Sequence, residues 1–228
     1  MKIGILQTGH APDALIKETG DYDAMFQKLL AGHGFEFQSW SVETMEFPES
    51  VHDADGWLMT GSRHGAYEDK PFIAPLEDFL RKAYAESVPI VGICFGHQIL
   101  AQALGGKVAK FKDGWAVGRQ TYRSGDRDFT LNAWHQDQVI EKPAEAEVCA
   151  TSDFCKYAAL IYGDRAFTVQ AHPEYSTDFI ADLARTRGKG LVPQDLLDAL
   201  PSDQGQHIDD ALLASQIATF FKERKLTS

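Results

Sequence analysis

Pro89-Ile90-Val91-Gly92-Ile93-Cys94-Phe95-Gly96-His97-Gln98, running on through Ile99 to Leu104 and the pair Gly105-Gly106, organises the rest of this 228-residue chain. The apolar, β-branched run before Cys94 reads as a buried strand, and Ile99, Leu100, Ala103 and Leu104 recur at helical spacing until the glycine pair stops the helix. Cys94 therefore falls on the turn between strand and helix. Glycines two residues before and two after it match a nucleophile-elbow pattern with Cys in place of Ser, where close strand–helix approach leaves no room for side chains. Such a turn lifts the sulfur clear of the sheet and sets it at a helix N-terminus, whose unpaired N–H groups favour a thiolate.

A cysteine alone does not establish a nucleophile, because free cysteine is among the most buried residue types and commonly serves as a small hydrophobe. A second stretch weighs against that reading. Phe167-Thr168-Val169-Gln170-Ala171-His172-Pro173-Glu174-Tyr175 is an alternating strand that ends in a histidine and, two residues on, a carboxylate. A thiol nucleophile needs a base to take its proton and a third group to hold that base in the right tautomer. His172 and Glu174 can supply both.

Between and around these stretches the chain alternates strand and helix. Met1 to Gln7 goes straight into a first strand, and Gly9 to Gly20 reads as a loop leaving its carboxyl end, the edge where ligands bind in doubly wound sheets. Tyr22, Met25, Phe26, Leu29 and Leu30 make an amphipathic helix whose aromatic stripe is core. Phe35 to Val42 and Gly56 to Thr60 are further strands. Leu76, Phe79, Leu80, Ala83 and Tyr84 form a helix with acids early and bases late, as a helix dipole prefers. The order predicts a parallel sheet with right-handed crossovers. From Lys107 to Val148 the pattern changes to short segments such as 118–123 and 128–132, which read as antiparallel strands beside the main sheet. Ser176 to Gln206, with Arg185, Arg187 and Lys189 and a proline at 201, reads as an insertion holding at least one helical turn. It is expected to be a solvated surface feature rather than a lid or docking segment. Ile208, Leu212, Leu213, Ile217, Phe220 and Phe221 make a closing helix.

Over a span from about Lys2 to Tyr175, the two key stretches resemble the class I glutamine amidotransferases, and within them the small stand-alone members. The likeness rests on a G-x-C-x-G-x-Q elbow at 92–98 and a His-Pro-Glu turn at 172–174. The resemblance implies an α/β, flavodoxin-like fold: a central, mostly parallel sheet with flanking helices and a small antiparallel β extension, with 1–228 as a single domain. It implies that Cys94 attacks, His172 is the base and Glu174 orients it. An oxyanion hole would come from backbone N–H groups of Ser62, standing where the family usually has the second glycine of a Gly-Gly-Pro turn, and of Phe95. Gln98 and the segment Trp134-His135-Gln136 would meet the substrate's amino-acid head. The family segment is commonly Ser-His-Gly-Asp, so Trp134 replaces a small residue and Gln136 a glycine, which changes the pocket where a γ-substituent or a partner would lie.

The implied activity is hydrolysis of a γ-glutamyl amide through a thioester on Cys94, releasing glutamate and ammonia or an amine. Glutamine hydrolysis supplying a separate synthase subunit is one form of it, and a stand-alone γ-glutamyl peptidase acting on peptides or conjugates is the alternative. A non-catalytic module that merely retains the elbow would have no physical need for His172 and Glu174 beside a thiol. His64 and His97 could also be taken for bases, but a histidine on the elbow helix points along it, and His97 is read as structural.

A net charge of −11 argues against a nucleic-acid partner, which requires a basic face. No apolar run approaches membrane length and no secretory leader opens the sequence, so a cytoplasmic protein with no membrane partner is expected. Three cysteines are too few and too unevenly placed for a disulfide framework, and Cys149 and Cys155 are read as structural. Without a phosphate-binding G-x-x-x-x-G-K-[ST] loop, a G-x-G-x-x-G turn, an H-E-x-x-H or paired C-x-x-C, no cofactor and no metal are implied.

Overall fold

The structure, a computed structural model, describes residues 1–200 and 207–226. Its first half is strand β1 (Lys2–Gln7), helices α1 (Asp13–Thr19) and α2 (Tyr22–Leu29), strands β2 (Glu36–Ser41) and β3 (Gly56–Met59), helix α3 (Ile73–Ala85), strand β4 (Ile90–Ile93) and helix α4 (Phe95–Ala103). Strands β5 (Lys107–Lys110), β6 (Ala116–Ser124), β7 (Arg127–His135), β8 (Asp137–Glu141), β9 (Glu147–Ala150), β10 (Ala159–Tyr162) and β11 (Ala166–Val169) follow. Helices α5 (Thr177–Leu183), α6 (Gln194–Asp198) and α7 (Asp210–Glu223) close the chain.

Seven strands form the central sheet in the order β2-β1-β3-β4-β11-β10-β9. The first five are mutually parallel, and β10 and β9 add an antiparallel edge. Alternate strand residues feed two apolar layers, as the pleat requires. Leu6, Trp57, Met59 and Ile90 face α3 and α4 in one layer. Ile5, Leu58, Val91, Ile93 and Phe167 pack with Phe26 of α2 and Ile217 and Phe220 of α7 in the other. Among the described residues no helix is long and apolar enough to cross a membrane.

Three departures from the sequence reading have simple causes. The stretch from Gly9 to Gly20 contains α1, seated by the Pro12 carbonyl accepting from Leu15 N at 2.7 Å and by burial of Leu15; flanking Gly and Pro concealed so short a helix. β11 does not alternate between core and solvent: all four of its residues are buried, because it lies between β4 and β10 with helices on both faces. β9 and β10, which carry no clear pattern of their own, owe their place to pairing with β11.

Outside the sheet, β6 and β7 make a nine-pair hairpin, Ala116 opposite His135 through Ser124 opposite Arg127, and β5 pairs with β8. The hairpin braces the second key stretch. His172 N donates to the Asn132 carbonyl at 2.8 Å, and Asn132 Nδ2 donates to the Tyr175 carbonyl at 2.8 Å. The segment from Ser176 onward is not merely a solvated insertion. Phe179, Ile180 and Leu183 of α5 are buried against Tyr22, Met25 and Tyr175, one π turn covers Ala184–Gly188, and Leu183, Arg187 and Leu191 line the cleft described below. Pro201 and the rest of that stretch to 206 lie outside the described residues.

Candidate active site

β4 ends at Ile93 and α4 begins at Phe95, so Cys94 alone must reverse the chain. It does so at φ 53°, ψ −101°, a conformation that costs a non-glycine residue about 1–3 kcal/mol and persists only where its surroundings impose it. They do: Cys94 N donates to the Val169 carbonyl at 2.8 Å, and the Cys94 carbonyl accepts from Gln98 N at 3.1 Å. A Cβ on Gly92 would lie 2.5 Å from the Gly96 carbonyl oxygen, and one on Gly96 would lie 2.8 Å from the Met59 carbonyl oxygen. The two glycines of the pattern are thus required by backbone contact.

β11 is the parallel neighbour of β4, and this adjacency carries His172 to Cys94. The His172 Nδ1 sits 2.7 Å from Glu174 Oε1, and the Cys94 sulfur lies close enough to the ring to act on its charge. Both partners are sealed: the side chains of His172 and Glu174 are 3% and 1% exposed. Burial alone would push the imidazolium down, but the Cys94 sulfur and the Glu174 carboxylate outweigh it and hold the His172 pKa above the ordinary imidazole range. Among the described residues, the second carboxylate oxygen of Glu174 is buried with no hydrogen-bond partner.

Tyr175 stacks on His172 with ring centroids 4.0 Å apart and planes 4° apart. Gln170 Nε2 lies 3.6 Å from Cys94 Sγ. Both residues stand in the second key stretch, but nothing in their identity marks them; only the folded turn brings them to the thiol and the imidazole. Gly61 is similar, since a Cβ there would lie 2.9 Å from His172 Cε1 and 3.9 Å from Cys94 Cβ.

Cys94 opens into a cleft of about 290 Å³ lined by Ser62, Phe95, Gln98, Trp134, His135 and Gln136 among others. Cys94, His172 and the residues singled out for the oxyanion hole and the substrate head share this cavity, while Glu174 stands behind His172 outside its lining. Ser62 is not in the left-handed region, so a serine in place of glycine carries no backbone strain, and its Oγ accepts from His64 N at 3.1 Å. Gln98 donates from Nε2 to the Asp137 carbonyl at 2.9 Å and to Gln170 Oε1 at 3.1 Å, bracing the cleft floor. Gln136 Nε2 donates to the Phe111 carbonyl at 3.2 Å. His135 is buried with Nδ1 3.2 Å from the Asp137 carbonyl, and burial pushes its pKa down to about 3.

Asp137, which closes the family-like segment but had no role of its own in the sequence reading, gives the cleft a carboxylate. Tyr67 OH donates to its Oδ1 at 3.2 Å, and desolvation raises its pKa although Tyr67 and Lys110 oppose this. His97 is closed off from the cleft. Its Nδ1 lies 2.8 Å from Thr168 Oγ1, and burial drives its pKa down to about 3, so it stays neutral. His64 lies 3.1 Å from Glu43 Oε1 and 3.3 Å from Glu68 Oε2, held by carboxylates on the loop side of the cleft. Among the described residues no three His, Cys, Asp or Glu side chains are placed to hold a metal ion.

The three thiols differ sharply in setting. Cys94 lines the cleft, whereas burial pushes Cys149 and Cys155 up to about 12. Brief iodoacetamide treatment at neutral pH followed by peptide mass mapping is expected to place the label on Cys94 first. Preferential labelling of Cys149 or Cys155 would contradict this picture.

A family model described as "Glutamine amidotransferase class-I" matches residues 23–179. Gamma-glutamyl peptidase 4 of Arabidopsis thaliana is 29% identical over 226 residues, covering 92% of this chain and 90% of that protein. The glutamine-hydrolyzing GMP synthase of Vibrio atlanticus (strain LGP32) is 32% identical over 169 residues, which is 68% of this chain and 31% of that protein. Among solved structures, a glutamine amido transferase from Methylobacillus flagellatus has the same fold, with a TM-score of 0.75 at 21% identity over 100% of this chain and 96% of that one.

Proposed function

Because this chain belongs to the class I glutamine amidotransferase family, we propose that it hydrolyses a γ-glutamyl amide through a thioester on Cys94, with His172 as base and acid and Glu174 holding His172. Residues 1–228 then act as one domain. The observation that carries the reading is the Cys94–His172–Glu174 line at the carboxyl ends of two adjacent parallel strands. Cys94 Sγ attacks the γ-carbonyl carbon while His172 receives the thiol proton. The oxyanion is met by the N–H groups of Ser62 and Phe95. The carbon–nitrogen bond breaks as His172 gives its proton to the nitrogen, and ammonia or an amine leaves. Water then attacks the thioester, His172 takes one of its protons, the carbon–sulfur bond breaks, and glutamate departs as the proton returns to sulfur.

The head of the glutamyl group lies at the Gln98, His135 and Gln136 end, where the Asp137 carboxylate suits an α-ammonium and Lys110 an α-carboxylate. The near end-to-end match to a γ-glutamyl peptidase favours hydrolysis without a partner. The match to the glutaminase-sized part of a GMP synthase supports a second reading, in which glutamine is the substrate and ammonia passes to a separate synthase subunit. A thiol nucleophile suits a reducing cytoplasm.

Purified chain should release glutamate from glutamine, γ-glutamyl-glycine or glutathione, and at least about 100-fold less from α-glutamyl-glycine, because an α-linkage puts the reacting carbonyl where the head must sit. Equal cleavage of α- and γ-linked compounds refutes the head assignment. Cleavage that appears only with a second protein present selects the synthase-linked reading.

A further inference from the structure

Resting on the hydrolase reading and extending it, we propose that the cleft holds a preformed subsite for the aromatic side chain of an amine on the leaving side of the scissile bond, so that γ-glutamyl amides of amines bearing an aromatic ring are preferred over glutamine.

The position of the subsite follows from the path of the proton. The amide nitrogen leaves with a proton from His172, so the substituent it carries lies on the His172 side of the sulfur. That side of the cleft is aromatic. Tyr175 lies flat on His172, and Tyr22 follows with its ring centroid 5.9 Å from that of Tyr175. Trp134 packs against this same cluster, and Trp115 meets Trp134 edge-on at 6.3 Å between centroids. Leu191 completes the wall and is 53% exposed. Polar groups collect at the other end, around Asp137, Tyr67 and Lys110.

Ammonia, the amine of glutamine, has no apolar surface to place against two half-buried indoles and an exposed leucine. An aromatic ring does, and edge-to-face or offset packing on tryptophan adds to the area it buries. The wall stands ready without a ligand. Arg187 donates to the His10 carbonyl at 2.9 Å and to Tyr22 OH at 3.4 Å, which ties the 184–188 turn to the loop after β1 and to α2. A Cβ on Gly188 would be 3.5 Å from the Trp134 ring, so this turn backs the indole directly. Trp134 fills a position where the resembled family has a small residue, and here it builds the wall.

The test compares γ-glutamyl-phenylalanine, γ-glutamyl-glycine and glutamine as substrates of the full chain, read as kcat/KM for glutamate release. The phenylalanine compound should exceed the glycine compound by at least about tenfold. Trp115→Ala and Leu191→Asp should each bring that ratio to within about threefold of unity, and two variants guard against one failing to fold. The same ratio is read in dissociation constants on Cys94→Ala by calorimetry. If no compound is cleaved but the binding ratio holds, the hydrolase reading falls and the subsite stands. If cleavage occurs and the ratio is at or below one, or neither variant moves it, the subsite is overturned while the hydrolase reading survives.

Discussion

Cys94→Ala is expected to leave no measurable glutamate release, and His172→Ala to lose at least about four powers of ten in kcat, because nucleophile and base act as one unit and neither works without the other. Glu174→Gln should cost one to two powers of ten less than either, since it removes an orienting group while the proton acceptor remains. The amide keeps the size of Glu174 but cannot stabilise the imidazolium as a carboxylate 2.7 Å away does. The pKa of His172 should therefore fall, and the basic limb of the pH–rate profile, where His172 loses the proton it gives to the leaving nitrogen, should move to lower pH in Glu174→Gln. Stopped assays across pH 5–9 read both effects. His97→Asn serves as the contrast. Its parent is buried, neutral and bonded to Thr168, so the loss should be one of stability, visible in urea unfolding, with kcat of the folded fraction within about fivefold of the parent. A larger kcat loss at His97 than at His172 would mean that the base has been misassigned.

Gly61→Ala should be nearly as damaging as a change to Glu174, although position 61 bears no chemistry. The added methyl would start 2.9 Å from His172 Cε1, closer than carbon atoms approach without displacement. The imidazole cannot yield. Glu174 holds Nδ1, Tyr175 lies against one face, and the backbone N–H of His172 is fixed to Asn132. Displacing the ring by a fraction of an ångström misaims the proton transfer, and misplacements near 1 Å cost about 100-fold in rate. Initial-rate kinetics on folded Gly61→Ala should show kcat falling by about that factor with a smaller change in KM. An unchanged kcat would show that the ring has room to move, and would undercut the picture of a clamped base.

The elbow and the His-Pro-Glu turn were legible because their chemistry is local. Gly92 and Gly96 flank Cys94 in sequence as they do in space, and the turn cannot form with side chains at those positions. Glu174 reaches His172 across two residues, a contact that the strand end itself provides. The alternation of strands and helices up to Gly106 likewise follows from patterns within single elements. Other features depend on which elements become neighbours. β11 beside β4 joins residues 76 positions apart at Gln170 and Cys94, and no local signal specifies that approach. The burial of all of β11, the placing of β9 and β10, the stack of Tyr175 on His172 and the encroachment of Gly61 all arise the same way. Trp134, in the segment whose backbone the resemblance sets at the glutamyl head, packs its side chain on the Tyr22–Tyr175 cluster and against Trp115, where the π turn at 184–188 backs it from more than 50 residues along the chain. The identity of the residues proposed to react was thus written in short stretches, where a turn admits few side chains. The walls of the cleft were set by tertiary packing, where any apolar side chain of suitable size competes for each position and only the assembled core selects one.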